Sequence, residues 1–510
     1  MPLLLGLDIG TSSTKAVLFD VESARSAAVA GREYPLHTPV PEAAEQNPND
    51  WWQAVIAVTQ QVTAQAGRRD IAAISFSGQM HGTVLLDAGR QPLGPAIIWA
   101  DQRSAAASAD LIARVGADRF TALAGTLPAA GFMGPTLCWL RHHDPARLDR
   151  ARHVLLPKDY VRLCLTGEIA TDVSDAASTA LFDIGQRAWS AELIRAAGLS
   201  GSLFPPVLAS AAPAGALTAS AAAALGLAPG IPVIAGCADQ PAQAIACGLV
   251  VPGAASVTTG TGGQMFAPLA APAAGSIPTD PRLHVFNHAA PDMWYVLGAI
   301  LSAGLALRWL RRVTGLEGQP DAYARLSADA GAVPAGADGL AFLPYLLGER
   351  TPHMDPLARG CFIGLSYHHE RGHLARAVME GVAFALRQAL EISQALAGPQ
   401  QTLIGSGGGI ESAVWRQIQT DVFGLPLRKS LLTEQAGVGA ALLAGVGAGM
   451  YANLGEACAQ TVRLDQPTEP QPANVRLYDD LYAQFTQLYP LLRPSFHRQA
   501  RAAQPDRPAN

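Results

Sequence analysis

The sequence predicts a two-lobed α/β protein, and three observations carry that expectation. Its 510 residues exceed what one hydrophobic core sustains, so the chain divides into at least two domains. With 49% hydrophobic and 15% charged residues it has ample apolar surface to bury and is not an extended disordered chain. Strand-like and helix-like segments alternate, and a Gly-Thr hairpin opens each half.

The elements follow in order. Residues 3–7 and 16–19 are apolar runs separated by Asp8-Ile9-Gly10-Thr11-Ser12-Ser13-Thr14-Lys15, a set of turn formers that predicts a β-hairpin. Trp52, Val55, Ile56 and Val62 recur at helical spacing over residues 49–62, and residues 71–76 read as a buried strand. Residues 230–236 read as a further strand with Cys237-Ala238-Asp239-Gln240 at its carboxyl end and a small-residue helix after it. Residues 255–266 predict a second hairpin with Gly260-Thr261-Gly262-Gly263 in its turn. Thr402-Leu403-Ile404 runs into Gly405-Ser406-Gly407-Gly408-Gly409, and Ser412 is placed to cap a helix reaching Ile418.

Gly and Pro at 248–252 set the expected boundary between lobes 1–248 and 249–490. The Gly/Ala run at 436–450 falls short of the roughly 20 residues of a bilayer span and reads as a packed helix. Residues 491–510, ending in a stretch of Pro, Gln and Arg without periodicity, are expected to be a disordered tail.

A formal net charge of −5 offers no electrostatic reason for a nucleic acid or an anionic membrane as partner. The six cysteines contain no C-x-x-C pair, so neither a zinc site nor a disulfide framework is suggested. Asp8 interrupts the apolar start before a signal-peptide core forms, and a cytoplasmic location is the expectation.

Phosphates need clustered backbone N–H groups, and glycine lets the chain approach them closely. Three turns offer this: Asp8, Gly10, Thr11 and Ser12 in the first hairpin, Gly260 and Thr261 in the second, and Gly408 and Gly409 after the later strand. None is a P-loop, and Met265 and Ile410 exclude G-x-G-x-x-G in the two later turns. Taken singly, each is ordinary turn chemistry. Asp8 alone reads as a turn carboxylate, Lys15 as a solvated lysine, and Asp239 as a helix cap.

The order of the three motifs resembles that of the actin-like ATPases. Gly360, Phe362, Gly364, Leu365, His373, Leu374, Ala377, Val378, Met379 and Glu380 are similar to the second signature of the FGGY carbohydrate kinases. The first signature, around Gly131-Phe132-Met133-Gly134-Pro135-Thr136, departs at Met133 and Thr136. Gln79-Met80-His81-Gly82, Pro157-Lys158-Asp159-Tyr160 and residues 342–353 are most like the xylulokinase branch. The similarity spans residue 5 to about 490.

The resemblance implies two actin-like (ribonuclease H-like) lobes around a central cleft, and ATP-dependent phosphorylation of D-xylulose to D-xylulose 5-phosphate with Mg²⁺. It implies Asp239 as the base for the sugar hydroxyl, and Asp8 near the metal and phosphates. Sugar contacts would come from Gln79, Met80, His81, Gly82 and Gln240, and nucleotide contacts from Gly10, Thr11, Ser12, Lys15, Gly260, Thr261, Gly408 and Gly409. Gln240 stands where xylulokinases have Asn, and Glu411 adds a negative charge beside the triple glycine. Sugar and ATP are the expected partners, and a homodimer stays open. Rival readings are a kinase of another ketose or polyol such as ribulose or arabinitol, an actin-like ATPase without a sugar acceptor, and a silent sugar-binding relative.

Overall fold

The computed structural model describes residues 3–272 and 276–502. Its contacts divide into two compact units, one holding the chain up to Val251 with Leu269–Tyr295 and Leu432–Arg463, the other holding Pro252–Pro268, Val296–Leu431 and the chain from Leu464.

In the first unit, β1 (Leu3–Ile9), β2 (Ser13–Asp20), β3 (Arg25–Glu33), β4 (Ile71–Gly78), β5 (Pro213–Ala216) and β6 (Pro232–Ile234) make a mixed sheet in the order β5-β6-β4-β1-β2-β3, and β7 (Cys237–Ala238) also pairs with β4. The expected hairpin is β1–β2, antiparallel, with Asp8 opposite Lys15. On its other side β1 runs parallel to β4, with Asp8 opposite Ser77.

Side chains alternate across a strand, and here both faces are buried. Leu3, Leu5 and Leu7 join Trp51, Val55, Val58 and Val62 of the helix Pro48–Ala66. That helix starts where Asn47 accepts the Asn49 N–H and ends at left-handed Gly67. Its buried stripe runs through Trp51, whereas Trp52 and Ile56 lie at its margin. On the opposite face Leu4, Val17 and Phe19 join Val438 and Leu442 of the helix Gln435–Gly447. A Cβ on Gly6 would sit 2.0 Å from the Gly437 carbonyl oxygen, and one on Gly439 would sit 1.9 Å from that of Ala242. The small residues of this run thus permit backbone contact.

That helix corrects the contiguous division at residue 248, because a strand sheet with two apolar faces needs a cover on each, and the second cover comes from the far end of the sequence. The expected strand at 230–236 is also shorter, since Gly236 turns to φ +83 where any Cβ would meet the Phe76 carbonyl oxygen at 2.6 Å.

In the second unit, β8 (Ala254–Thr259) and β9 (Gly263–Ala270) form the second hairpin, antiparallel, and β8 runs parallel to β11 (Thr402–Ser406). With β10 (Met293–Ile300) and β12 (Leu427–Lys429) the sheet contains the order β10-β9-β8-β11-β12. The helix Arg371–Ala397 buries Val378, Met379, Val382 and Leu386 against this sheet's core residues. The signature residues act in that packing: Glu380 accepts from Arg376 Nε, the Tyr478 hydroxyl and the Gly336 N–H.

The expected disordered tail is corrected over residues 491–502, which continue the helix Pro472–Ala502. Tyr478, Tyr482, Phe485, Tyr489 and Phe496 supply its buried stripe. His497 Nε2 lies 2.8 Å from Asp355 Oδ2. Residues 503–510 of that expectation lie outside the described residues. All six cysteines are free thiols. Among the described residues no helix is long and apolar enough to cross a membrane.

Candidate active site

The first unit gathers two carboxylates at the ends of parallel strands. Asp8 stands one residue before the end of β1, beside Ser77 of β4, whose hydroxyl donates to Asp8 Oδ1 at 2.9 Å. Cys237 pairs with that same Ser77 from the other side, so the chain delivers Asp239 two residues further on. Asp239 opens the helix Asp239–Ala246, and its Oδ1 is shut off from solvent without a hydrogen-bond partner. Burial, then the charge of Asp8, pushes its carboxyl up to about 7, while donors from Gln240 act the other way. Gln240 therefore works on the carboxyl of Asp239 here. Burial likewise raises Asp8, opposed by the Ser77 hydrogen bond and the charge of Lys15. Two carboxylates near one another and poorly solvated cannot both ionise easily, which is the condition for one to hold a proton near neutrality.

The turn after Asp8 is braced from behind. Gly10 receives the hydroxyl of Tyr34 and, at 3.3 Å, the amide of Gln79 on its carbonyl. The Thr11 carbonyl accepts Gln46 Nε2 at 2.6 Å, and its hydroxyl accepts Trp99 Nε1 at 2.9 Å. The Ser12 carbonyl accepts the Tyr34 N–H. Lys15 Nζ lies 2.6 Å from Glu434 Oε2, with both side chains partly exposed.

Gln79, Met80, His81 and Gly82 follow β4 as a tight turn, the Gly82 N–H bonding the Met80 carbonyl. His81 takes φ +72, rare for a residue with a side chain. Its Nδ1 meets the Ser178 carbonyl at 2.6 Å, and its ring stacks on Phe132 at 3.8 Å. Phe286 meets the same imidazole edge-on at 6.3 Å, and the Tyr295 hydroxyl points at Met80 Sδ at 4.0 Å. Gly82 lies against Pro157, where a Cβ would meet its ring at 2.8 Å.

The second unit carries the two later glycine turns into one cavity of about 370 Å³, lined among others by Thr259, Gly260, Thr261, Gly408, Gly409 and Ser412. The Gly260 carbonyl accepts the Gly304 N–H at 2.7 Å, and the Thr261 carbonyl accepts those of Ala303 and Leu305 at 3.0 Å. Gly409 packs on Thr259, whereas a Cβ on Gly408 would meet nothing within 4 Å. Ser412 caps the helix Ala413–Phe423, as its position predicts, and its hydroxyl lies 2.6 Å from that of Ser327. Glu411 pairs with Lys429 at 2.5 Å, which neutralises the charge the sequence places beside the glycines.

Sequence reasoning missed Gln46, Trp99, Phe286, Tyr295 and Glu434 because nothing local marks them. They reach the site through long-range packing. Phe132 stood in the weaker signature, and Lys158 in a tetrapeptide that carried only resemblance.

The profile of the FGGY family of carbohydrate kinases, N-terminal domain, matches residues 3–246, and that of its C-terminal domain residues 255–448. The chain is 36% identical over 497 residues to the xylulose kinase of Escherichia coli (strain K12), covering 96% of this chain and 99% of that one. It is 31% identical over 458 residues to the gluconokinase of Bacillus subtilis (strain 168), covering 88% and 87%. The crystal structure of xylulose kinase from Rhodospirillum rubrum superposes with a TM-score of 0.90 at 35% identity, over 97% of this chain and all of that one.

Proposed function

The chain belongs to the FGGY family of carbohydrate kinases, and on that premise we propose that it transfers the γ-phosphoryl group of ATP to D-xylulose, giving D-xylulose 5-phosphate. Membership makes it a phosphotransferase. The sugar is our inference. It is supported by xylulose kinases at 33–36% identity over 96% of the chain and by Gln79-Met80-His81-Gly82 beside the two carboxylates. The cytoplasm is the compartment we assign, with ATP and the sugar as partners.

The observation that carries the reading is Asp239, an aspartate with a partnerless, solvent-shielded oxygen and a carboxyl pushed up to about 7. A carboxylate so placed can take the proton of an attacking hydroxyl, a contribution of about 10²–10⁴ in rate. Phosphoryl transfer passes through a loose transition state, so the rest of the site positions the hydroxyl and neutralises charge. His81 and Met80, fixed by Ser178, Phe132 and Tyr295, would set the sugar's orientation. Lys15 and the backbone of Gly10, Thr11 and Ser12 would face the phosphates, while Gly260, Thr261, Gly408 and Gly409 would hold the nucleotide.

The hard oxygen donor that Asp8 offers suits Mg²⁺. Ser77 occupies Oδ1, and Oδ2 is the oxygen we assign to the ion, which when bound supplies charge neutralisation to the phosphates.

The gluconokinase relative favours a second reading, a sugar-acid acceptor. ADP release with ATP and Mg²⁺ across D-xylulose, ribulose, arabinitol, glycerol and D-gluconate separates the two. We expect kcat/KM for D-xylulose to exceed every other acceptor at least about tenfold, the equivalent of about 1.4 kcal/mol. Preference for gluconate would overturn the sugar assignment, and acceptor-independent ADP release would overturn the kinase reading.

A further inference from the structure

Beneath Asp239 lies a group of fully buried ions. Lys158 Nζ is 2.6 Å from Asp159 Oδ1, 2.8 Å from Asp172 Oδ1 and 3.4 Å from Asp175 Oδ2. Arg162 lies 3.0 Å from Asp159 and donates to the Ala235 carbonyl at 3.1 Å. Removing such charges from water costs about as much as their mutual attraction returns, so an ion cluster of this kind is poor evidence for stability. What it supplies is a fixed arrangement of donors and acceptors.

That arrangement ends on the segment bearing the base. Asp172 Oδ2 accepts the Ser174 hydroxyl at 2.6 Å, the Ser174 N–H at 2.9 Å and the Ser210 hydroxyl at 2.7 Å. With its proton committed to Asp172, the Ser174 oxygen accepts the Ala238 N–H at 3.1 Å. Ala238 immediately precedes Asp239. The Gly236 N–H is tied to the Ser210 carbonyl at 3.0 Å. The stem of Lys158 lies against Gly78, the register partner of Ala238, so closely that a Cβ there would stand 2.7 Å away. Each peptide from Ala235 to Ala238 is thus held by strand pairing or by this cluster.

We propose that Ser174, oriented by Asp172 and Lys158, is a positioning residue for Asp239: its hydroxyl oxygen holds the Ala238 N–H and thereby fixes where the base's carboxylate stands relative to the sugar hydroxyl. The inference rests on Asp239 being the base. Displacement of a catalytic group by about 1 Å costs on the order of 10²-fold in rate, and the Ser174 hydroxyl, through its hold on the Ala238 N–H, can permit or prevent it.

The test is a cycle of Ser174→Ala, Asp239→Asn and the double variant, followed by ADP release with ATP and the preferred acceptor, and by thermal melting. The expected result is a loss of about 10–100-fold in kcat for Ser174→Ala, KM for ATP within about twofold of the parent, and less than about twofold further loss when it is added to Asp239→Asn. A parent-like kcat, or the same loss in both backgrounds, overturns the proposal while leaving Asp239 as the base. Near-native turnover in Asp239→Asn overturns the base assignment and the proposal with it. Should Ser174→Ala melt before assay, Ser174→Cys keeps a weaker acceptor at similar size. An intermediate kcat with parent-like melting supports the role, and full activity overturns it.

Discussion

Lys15 Nζ stands 2.6 Å from Glu434 Oε2, so the lysine of the first hairpin is held by a carboxylate that lies 419 residues later in the chain. The pair is exposed enough, at 42% and 29% of the side chains, that it contributes less than about 1 kcal/mol to stability. Its effect falls on the ligand. Glu434→Gln removes a competitor for Lys15 and a charge that raises Asp8, so KM for ATP should fall several-fold with Tm nearly unchanged. Lys15→Ala should lower kcat by about 10²-fold or more, as loss of one preorganised charge donor does. A rise in KM for ATP on Glu434→Gln would show that the carboxylate orients the lysine instead.

Activity should depend on pH through Asp239. As the base we assign, Asp239 would work only as the carboxylate, and its carboxyl is pushed up to about 7. Turnover should therefore be near maximal at pH 8 and fall about tenfold for each unit below about pH 6. Replacing Gln240, whose donors favour the ionised carboxylate, by Leu should move that limb to higher pH. A profile flat down to pH 5 would remove Asp239 from the proton transfer.

Stability should run the opposite way. A carboxyl raised from 3.8 to about 7 binds more protons folded than unfolded between those values, so its contribution is full below pH 4 and lost as pH rises through 7. Asp239→Asn, uncharged throughout, should melt several degrees above the parent at pH 8, with the difference shrinking toward pH 4. Melting curves at both pH values check this without any assay of activity.

How far the sequence could be read is clearest around β1. Its hairpin with β2, the parallel strand β4, and the order of the three glycine turns were legible because turn formers and apolar runs are local signals. Ser412 was legible as a cap for the same reason. The pairing of Lys15 with Glu434, the stacking of His81 on Phe132, and the cover that Gln435–Gly447 provides were not, since each depends on where distant segments meet. The tail was misread because its last residues, Pro, Gln and Arg without periodicity, carry no helical signal, whereas Tyr489, Phe496 and His497 find buried partners that carry the helix through Pro490 and Pro494.

The close approach of Gly6 to the helix Gln435–Gly447 gives a sharp packing prediction. A methyl on Gly6 would meet the Gly437 carbonyl oxygen at 2.0 Å and the Ala441 nitrogen at 2.8 Å, both backbone atoms that cannot swing aside. Overpacking of this kind costs about 1–3 kcal/mol or more. Gly6→Ala should lower Tm by roughly 5 °C or more, at about 2–4 °C for each kcal/mol. It should also lower kcat, since β1 bears Asp8 and the displaced helix packs on Ala242 behind Asp239. Gly67→Ala, at an open helix end where a Cβ meets nothing, is the control, with a small loss of stability from its left-handed backbone alone and parent-like kcat.

Ser412 should join stability to nucleotide binding in the second unit. Its side chain accepts the Trp415 N–H at 3.2 Å as the cap of Ala413–Phe423, and it lines the cavity with Gly408 and Gly409. Ser412→Ala should cost about 1 kcal/mol of stability. It should also raise KM for ATP several-fold while KM for the sugar stays put, because the loosened turn lines the cavity we assign to the nucleotide. Ser412→Asp keeps a capping oxygen and so should restore Tm, but its charge at the cavity wall should leave the KM for ATP high. Parent-like KM for ATP in both variants would remove this wall from the nucleotide site.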